Sequence, residues 1–214
     1  MSQLPAPYPH LPETGMLKKM IALAASAALL AGCSGDQPMP TEFDVTVPLY
    51  VAGGNAGTVL GTHLTGDEEV LAVAPGAPHP SDSRAQGQAE FRVDGNSVQF
   101  RLIASNIDNI FMAHIHCGVA GANGPISIWL YPDIGTTGTP GPNGSGPSDG
   151  VLASGTFSVA GVMCLAANVG TDMPLLDAIR AGLTYVNVHT NDGVAPTNTG
   201  PGDFPGGEVR GQLD

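Results

Sequence analysis

The chain has 214 residues, 42% hydrophobic and 12% charged, enough for one domain with a real core plus flanking segments. Seven basic residues against 19 acidic ones give a net charge of −12, which argues against nucleic-acid binding, since phosphate contacts need clustered Lys and Arg. The 30 glycines and 19 prolines are spread among many short apolar runs, so the composition reads as an all-β fold with tight turns rather than disorder.

The N-terminal segment reads as an export signal. Lys18 and Lys19 precede a short apolar run from Ile21 to Leu30, too short to span a bilayer, and Leu30-Ala31-Gly32-Cys33 follows. That tetrad resembles the lipobox of bacterial lipoproteins, which implies lipidation of Cys33 and removal of residues 1–32. Met16 reads as the initiator, because residues 1–15 are polar and proline-rich. The expected setting is the bacterial cell envelope, exported and anchored to a membrane through the lipid on Cys33. Ser34 favours the outer over the inner membrane by analogy with lipoprotein sorting. Residues 33–57 then form a tether, with an edge strand expected over residues 41–51.

Strand patterns follow in order. Residues 58–65 form a first candidate, followed by an acidic turn, Asp67-Glu68-Glu69, expected to be solvated. Residues 88–93 and 98–104 alternate cleanly around Asp94-Gly95-Asn96, a hairpin signal. Residues 109–117 are apolar on both faces and read as a central strand, and residues 126–131 form the next. Residues 135–150 are Gly/Pro/Ser/Thr-rich and read as a long mobile loop. Strand alternation resumes over residues 151–159. One short helix is expected between Thr171 and Gly182, with Asp172 as N-cap. Residues 183–190 form a core strand, and residues 208–213 the last one. The fold expectation is an all-β Greek-key β-sandwich, immunoglobulin-like or superoxide-dismutase-like, with one short helix.

Three cysteines are present; with Cys33 lipidated, Cys117 and Cys164 remain as an even pair in an oxidising compartment. A Cys117–Cys164 disulfide is expected. The alternatives are two separate buried thiols or a metal role for Cys117.

In Ala113-His114-Ile115-His116, the two histidines are one residue apart in a strand pattern, so they project from the same face. His189 ends the strand Tyr185-Val186-Asn187-Val188-His189. If these strands are neighbours, three imidazoles converge, a ligand set that suits copper or zinc. His63 is a more distant fourth candidate, and Asn187 or Glu208 could accept the far ring N–H groups. The competing reading is structural: the histidines hydrogen-bond neighbouring groups, and Glu208 and Arg210, which share a face by spacing, form a partly buried ion pair. Trp129 and Tyr131 share a face and suit either a binding platform or, on the stronger expectation, the core. No G-x-S-x-G, H-E-x-x-H, phosphate-loop or dinucleotide motif occurs.

From residue 58 onwards the chain resembles the CHRD domain, found in chordin and in bacterial secreted proteins. The matching stretches are Leu64-Thr65-Gly66 with Glu69-Val70, the hairpin with Phe91 and Leu102, Ala113-His114-Ile115-His116 with Gly121-Ala122-Asn123-Gly124-Pro125, Tyr185 to Thr190, and Gly207-Glu208-Val209-Arg210-Gly211-Gln212-Leu213. A domain over residues 58–214 follows. The resemblance implies fold and an extracytoplasmic setting and leaves function open, since the family has no established catalytic reaction. Two functional classes are left: a non-catalytic lipoprotein binding an extracellular protein, a matrix or a metal, and a copper- or zinc-dependent redox enzyme of superoxide-dismutase-like type. The His-x-His strand is loosely similar to that of the copper-zinc dismutases.

Overall fold

The computed structural model describes residues 58–213. The signal segment, Cys33, the tether and the edge strand expected over residues 41–51 lie outside the described residues.

Ten strands form: β1 (Thr58–Thr65), β2 (Gln86–Asp94), β3 (Ser97–Asp108), β4 (Ile110–Cys117), β5 (Ile126–Tyr131), β6 (Pro147–Ser158), β7 (Met163–Cys164), β8 (Met173–Pro174), β9 (Thr184–Thr190) and β10 (Val209–Leu213). Eight of them make one antiparallel sheet in the order β5-β4-β9-β10-β1-β2-β3-β6, while β7 and β8 pair separately. The expected all-β sandwich is observed, and its two layers are parts of this one sheet.

The connection from β3 to β4 shows why the sheet must fold over. Four strands lie between them in the sheet order, so a flat sheet would separate them by about 24 Å. Yet only Asn109 joins them, and a one-residue link reaches about 7.6 Å. Asn109 takes the corner at φ 56°, a conformation that asparagine tolerates better than most residues. Its side chain fixes the corner, accepting from the Gly146 amide and donating to the Gly202 carbonyl.

Period-2 alternation builds the core. On β2 and β3, Ala89, Phe91, Val93, Val98, Phe100 and Leu102 point inward and are buried. The β2–β3 hairpin turns at Gly95-Asn96 with Asp94 opposite Ser97, as the sequence predicts, and Gly95 supplies the positive φ. The opposing layer contributes Ala113, Ile115, Ile128, Leu130, Val186 and Val188. The expected disulfide joins Cys117 at the end of β4 to Cys164 in β7.

Three expectations need correction. Among the described residues there are two short α-helices, α1 (Ala166–Val169) and α2 (Leu175–Arg180), rather than one helix. Asp172 is not the cap of α2; its carboxylate accepts from the Ala166 amide instead, and Pro174 occupies the N-cap position. The Gly-rich stretch after β5 is tied down rather than free, and its last residues, 147–150, already belong to β6, which begins four residues before the expected strand. The Gly135 amide and carbonyl both bond Trp129, the Gly141 amide donates to the Phe111 carbonyl and the Gly144 amide to the Asn191 carbonyl. Small residues let this segment's backbone approach the strands closely enough for those bonds.

Gly211 marks a similarly close approach between β10 and β1. A Cβ there would collide with the His63 carbonyl oxygen and the Thr62 hydroxyl. Gly211→Ala should therefore destabilise the domain by about 1–3 kcal/mol, towards the upper end because one obstacle is backbone. A urea midpoint equal to that of the parent protein would show that the strands do not need this contact.

Candidate metal centre

The sheet carries a second buried layer on the face away from the core. On β4, Ala113, Ile115 and Cys117 face inward, so His114 and His116 face outward with Met112. On β9, Val186 and Val188 face inward and Tyr185, Asn187 and His189 outward. All seven residues of β9 are nevertheless buried, because loops cover the outer face. Register places His114 opposite Asn187, His116 opposite Tyr185 and Met112 opposite His189. The β4–β5 ladder shifts register on both sides of the pair His114-Ile115, and such bulges re-aim side chains.

The structure brings His114, His116 and His189 together. One ring nitrogen from each lies within 4.8 Å of the others, and the three residues are 0%, 7% and 5% exposed. Nδ1 of His116 is 2.9 Å from the Gly124 carbonyl oxygen, and Nδ1 of His189 is 2.9 Å from that of Pro205. A carbonyl only accepts, so both Nδ1 atoms carry the proton and both Nε2 atoms present a bare lone pair. Nδ1 of His114 lies 3.2 Å from Nε2 of His189. That spacing fits a hydrogen bond; it also fits two ligands of one tetrahedral ion, which at usual Zn–N lengths sit about 3.3 Å apart. Nε2 of His114 and Nε2 of His116 are buried without hydrogen-bond partners. The trio can hold a metal ion.

Surrounding residues fix the rings. Tyr185 stacks on His116 with centroids 4.8 Å apart and planes 4° from parallel. The Arg210 guanidinium lies 3.4 Å above the Tyr185 ring centroid, and it donates to the Ala122 carbonyl and the Asn123 side chain. The Tyr185 hydroxyl accepts from the Gly124 amide, so the loop that holds His116 is itself held. Trp129 stands edge-on to His114 at 4.3 Å, and a Cβ on Gly138 would strike its indole, so this loop packs flat against the ring. Trp129 thus covers the site rather than filling the core. Tyr131 does pack against the core.

The other sequence candidates divide. Asn187 lies between the His116 ring and the Glu69 carboxyl, and its Oδ1 has no partner. Glu208 and Arg210 do not pair. Glu208 precedes β10, so strand alternation does not reach it, and its carboxylate accepts from the Ser83 and Thr190 hydroxyls and the Gly202 amide. It accepts no ring N–H; backbone carbonyls take that role. His63 is exposed on β1 and lies outside the trio.

Glu69 is the residue that sequence reasoning misplaced. Asp67 and Glu68 are solvated, as expected, but Glu69 is buried. Gly207 packs against its carboxyl, where a Cβ would collide. Burial pushes the Glu69 pKa up to about 8 against the lowering effects of Arg210 and Asn187. The only signal for it in the sequence is its place in the family motif.

A family model for the CHRD domain matches residues 60–213. The chain belongs to the CHRD domain family. No curated protein and no solved structure is significantly similar to it. The histidine trio, Glu69, Asn187 and Arg210 all fall inside the matched CHRD region.

Burial lowers all three histidines, His114 to about 2 and His189 to about 3, with repulsion among the imidazoles adding to the shift for those two. These rings are neutral when folded but protonate near pH 6.5 when unfolded, so their stabilisation is complete above pH 6.5 and is lost as pH falls towards 3. Glu69 has the opposite sign: its contribution is full below pH 4.5 and is lost as pH rises through about 8. The metal-free domain should be most stable near pH 6.5, falling on the acid side by up to about 1.4 kcal/mol per pH unit for each histidine. Melting temperatures from pH 4 to 9 test this, and Glu69→Gln should flatten the alkaline decline and steepen the rise between pH 4.5 and 6.5, where Glu69 opposes the histidines. A domain equally stable at pH 4.5 and 6.5 would contradict the burial of neutral imidazoles.

Proposed function

We propose that this protein is a lipid-anchored, extracytoplasmic CHRD-domain lipoprotein that binds a transition-metal cation through His114, His116 and His189 without catalysing a reaction. The observation that carries the metal reading is the meeting of one ring nitrogen from each histidine within 4.8 Å, with Nε2 of His116 buried and unpartnered and the far nitrogens of His116 and His189 already committed to carbonyls. Buried polar atoms are almost always satisfied, so an unpartnered Nε2 beside two converging imidazoles points to a ligand. Backbone carbonyls on the opposite ring nitrogens fix the rings as outer partners do at known metal-ligating histidines. Imidazole donors suit copper or zinc, with copper(II) the tighter by intrinsic affinity. Asn187 stands beside His116 and helps to orient it.

Protein purified from the periplasm should carry about one equivalent of copper or zinc, and His114→Ala should lower affinity for the added metal at least about tenfold. Trp129, the single tryptophan, gives a direct readout, because copper(II) bound beside His114 should quench its fluorescence. No metal on the purified protein and no quenching on titration would leave the hydrogen-bonded histidine network as the correct reading.

Support for the anchor is the order Lys18-Lys19, short apolar run and Leu30-Ala31-Gly32-Cys33. Cys33→Ala should move the full-length protein from the membrane fraction to the soluble one. Retention of the variant in washed membranes would refute lipid anchoring at this residue. A dismutase-like redox enzyme is the weaker reading, since His114 is fully buried and Trp129 covers it, leaving little room for a substrate to reach the ion.

A further inference from the structure

We propose that the loop between β9 and β10 holds a second cation site, for a hard divalent ion of the calcium class, centred on Asp203. Asp203 is 2% exposed. Its Oδ2 is committed, accepting from the Thr199 amide at 2.9 Å and the Thr199 hydroxyl at 2.8 Å. Its Oδ1 is buried with no partner. The side-chain Oδ1 of Asn198, next to that same Thr199, is also buried with no partner. Both atoms only accept, so each needs a donor or a cation.

The charge around them points to the cation. Glu208, 0% exposed, sends one carboxylate oxygen to the Gly202 amide, directly beside Asp203. The Cβ of Asp108 lies 3.1 Å from where a Cβ on Gly202 would stand. Glu208 is therefore a second buried carboxylate beside Asp203, and Asp108 adjoins Gly202 through its Cβ. None of the three has an ion-pair partner among the described residues, which contain no lysine at all. Hydroxyl and amide donors satisfy the Glu208 oxygens and Asp203 Oδ2, but Asp203 Oδ1 has no partner, and a buried carboxylate oxygen needs one. The open donors are all oxygens, with no free imidazole or thiolate, and this selects a calcium-like ion over copper or zinc. Water and backbone carbonyls would complete the usual six to eight ligands. So few protein donors place the affinity with extracellular calcium modules, at about 10⁻⁴–10⁻³ M.

The loop also carries Pro205, whose carbonyl accepts a hydrogen bond from His189 Nδ1–H. An ion at Asp203 would thus steady a loop that orients one of the three imidazoles, although its binding does not depend on metal at the histidines.

Calcium chloride titrated into the chelator-treated full-length protein tests the site by calorimetry and melting temperature. The expected result is saturable binding of about one ion with a rise in melting temperature, lost in Asp203→Asn. Asn198→Gly gives a second test, because glycine accepts the φ of 64° at this position while removing the oxygen; calcium affinity should fall about tenfold or more. His114→Ala should bind calcium as the parent does, so failure of the histidine site and failure of this one are separable. No saturable binding up to about 10 mM, well beyond the expected range, would overturn the proposal. So would equal binding by the parent and Asn198→Gly, which would mark diffuse attraction to the acidic surface.

Discussion

The buried guanidinium of Arg210 is the contact on which the outer face of the sheet depends. Removing a cation from water costs several kcal/mol unless its hydrogen bonds and charge are met. Arg210 meets them without an ion pair: it lies on the Tyr185 ring and donates to loop oxygens from Ala122 and Asn123. A desolvated cation–π contact contributes about 2 kcal/mol, and charge-assisted bonds to carbonyls add to it. Asn123 in turn donates to the Val70 carbonyl, so one side chain pins the loop before β5 to the turn that carries Glu69. Tyr185 passes the order on to His116 by stacking. Lysine could not replace this arginine, because a point charge offers neither the planar stack nor the forked donors.

This clamp explains how one sheet supports two unlike interiors. The inner face is apolar and close-packed, built from alternating side chains of eight strands. The outer face of β4, β9 and β10 is buried too, but by loops, and loops bring backbone carbonyls that must be satisfied. Imidazole N–H groups and the Arg210 guanidinium satisfy several of them. Polar side chains are therefore at home under loops, while they would be misplaced between the two layers of sheet.

What the sequence could disclose follows from the range of each interaction. The β2–β3 hairpin, β4 and β5 are legible because period-2 alternation is local. The shared direction of His114 and His116 is legible for the same reason, and the approach of His189 follows once β4 and β9 are taken as neighbours. Glu69 is not legible from its surroundings, since Asp67 and Glu68 beside it are solvated. Its burial depends on Gly207, far along the chain, leaving space for the carboxyl. Trp129 reads as a core residue by size, but the strand's register puts Ile128 and Leu130 inside and turns the indole to His114. Composition alone marks residues 135–150 as loop; it cannot show that their amides reach the carbonyls of Phe111 and Asn191.

The same separation of layers bears on how an ion could reach a site this enclosed. His114 is surrounded by β4, β9, Trp129 and the covering loops, and the strands are held by paired ladders on both sides. Opening the strands would require loss of the core, close in free energy to global unfolding. Opening a loop costs only its own few bonds, such as the Arg210 contacts for residues 118–125 or the Pro205 contact for the β9–β10 connection. An ion, if the trio binds one as proposed, would therefore exchange through loop motions with the sheet intact. An arrangement in which the rigid elements carry two strands' worth of ligands, while the cover is made of glycine-rich loops, combines fixed donor geometry with a route in. It also places the entry path beside Gly124 and Pro205, whose carbonyls orient the rings, so opening the cover and releasing the imidazoles are coupled events.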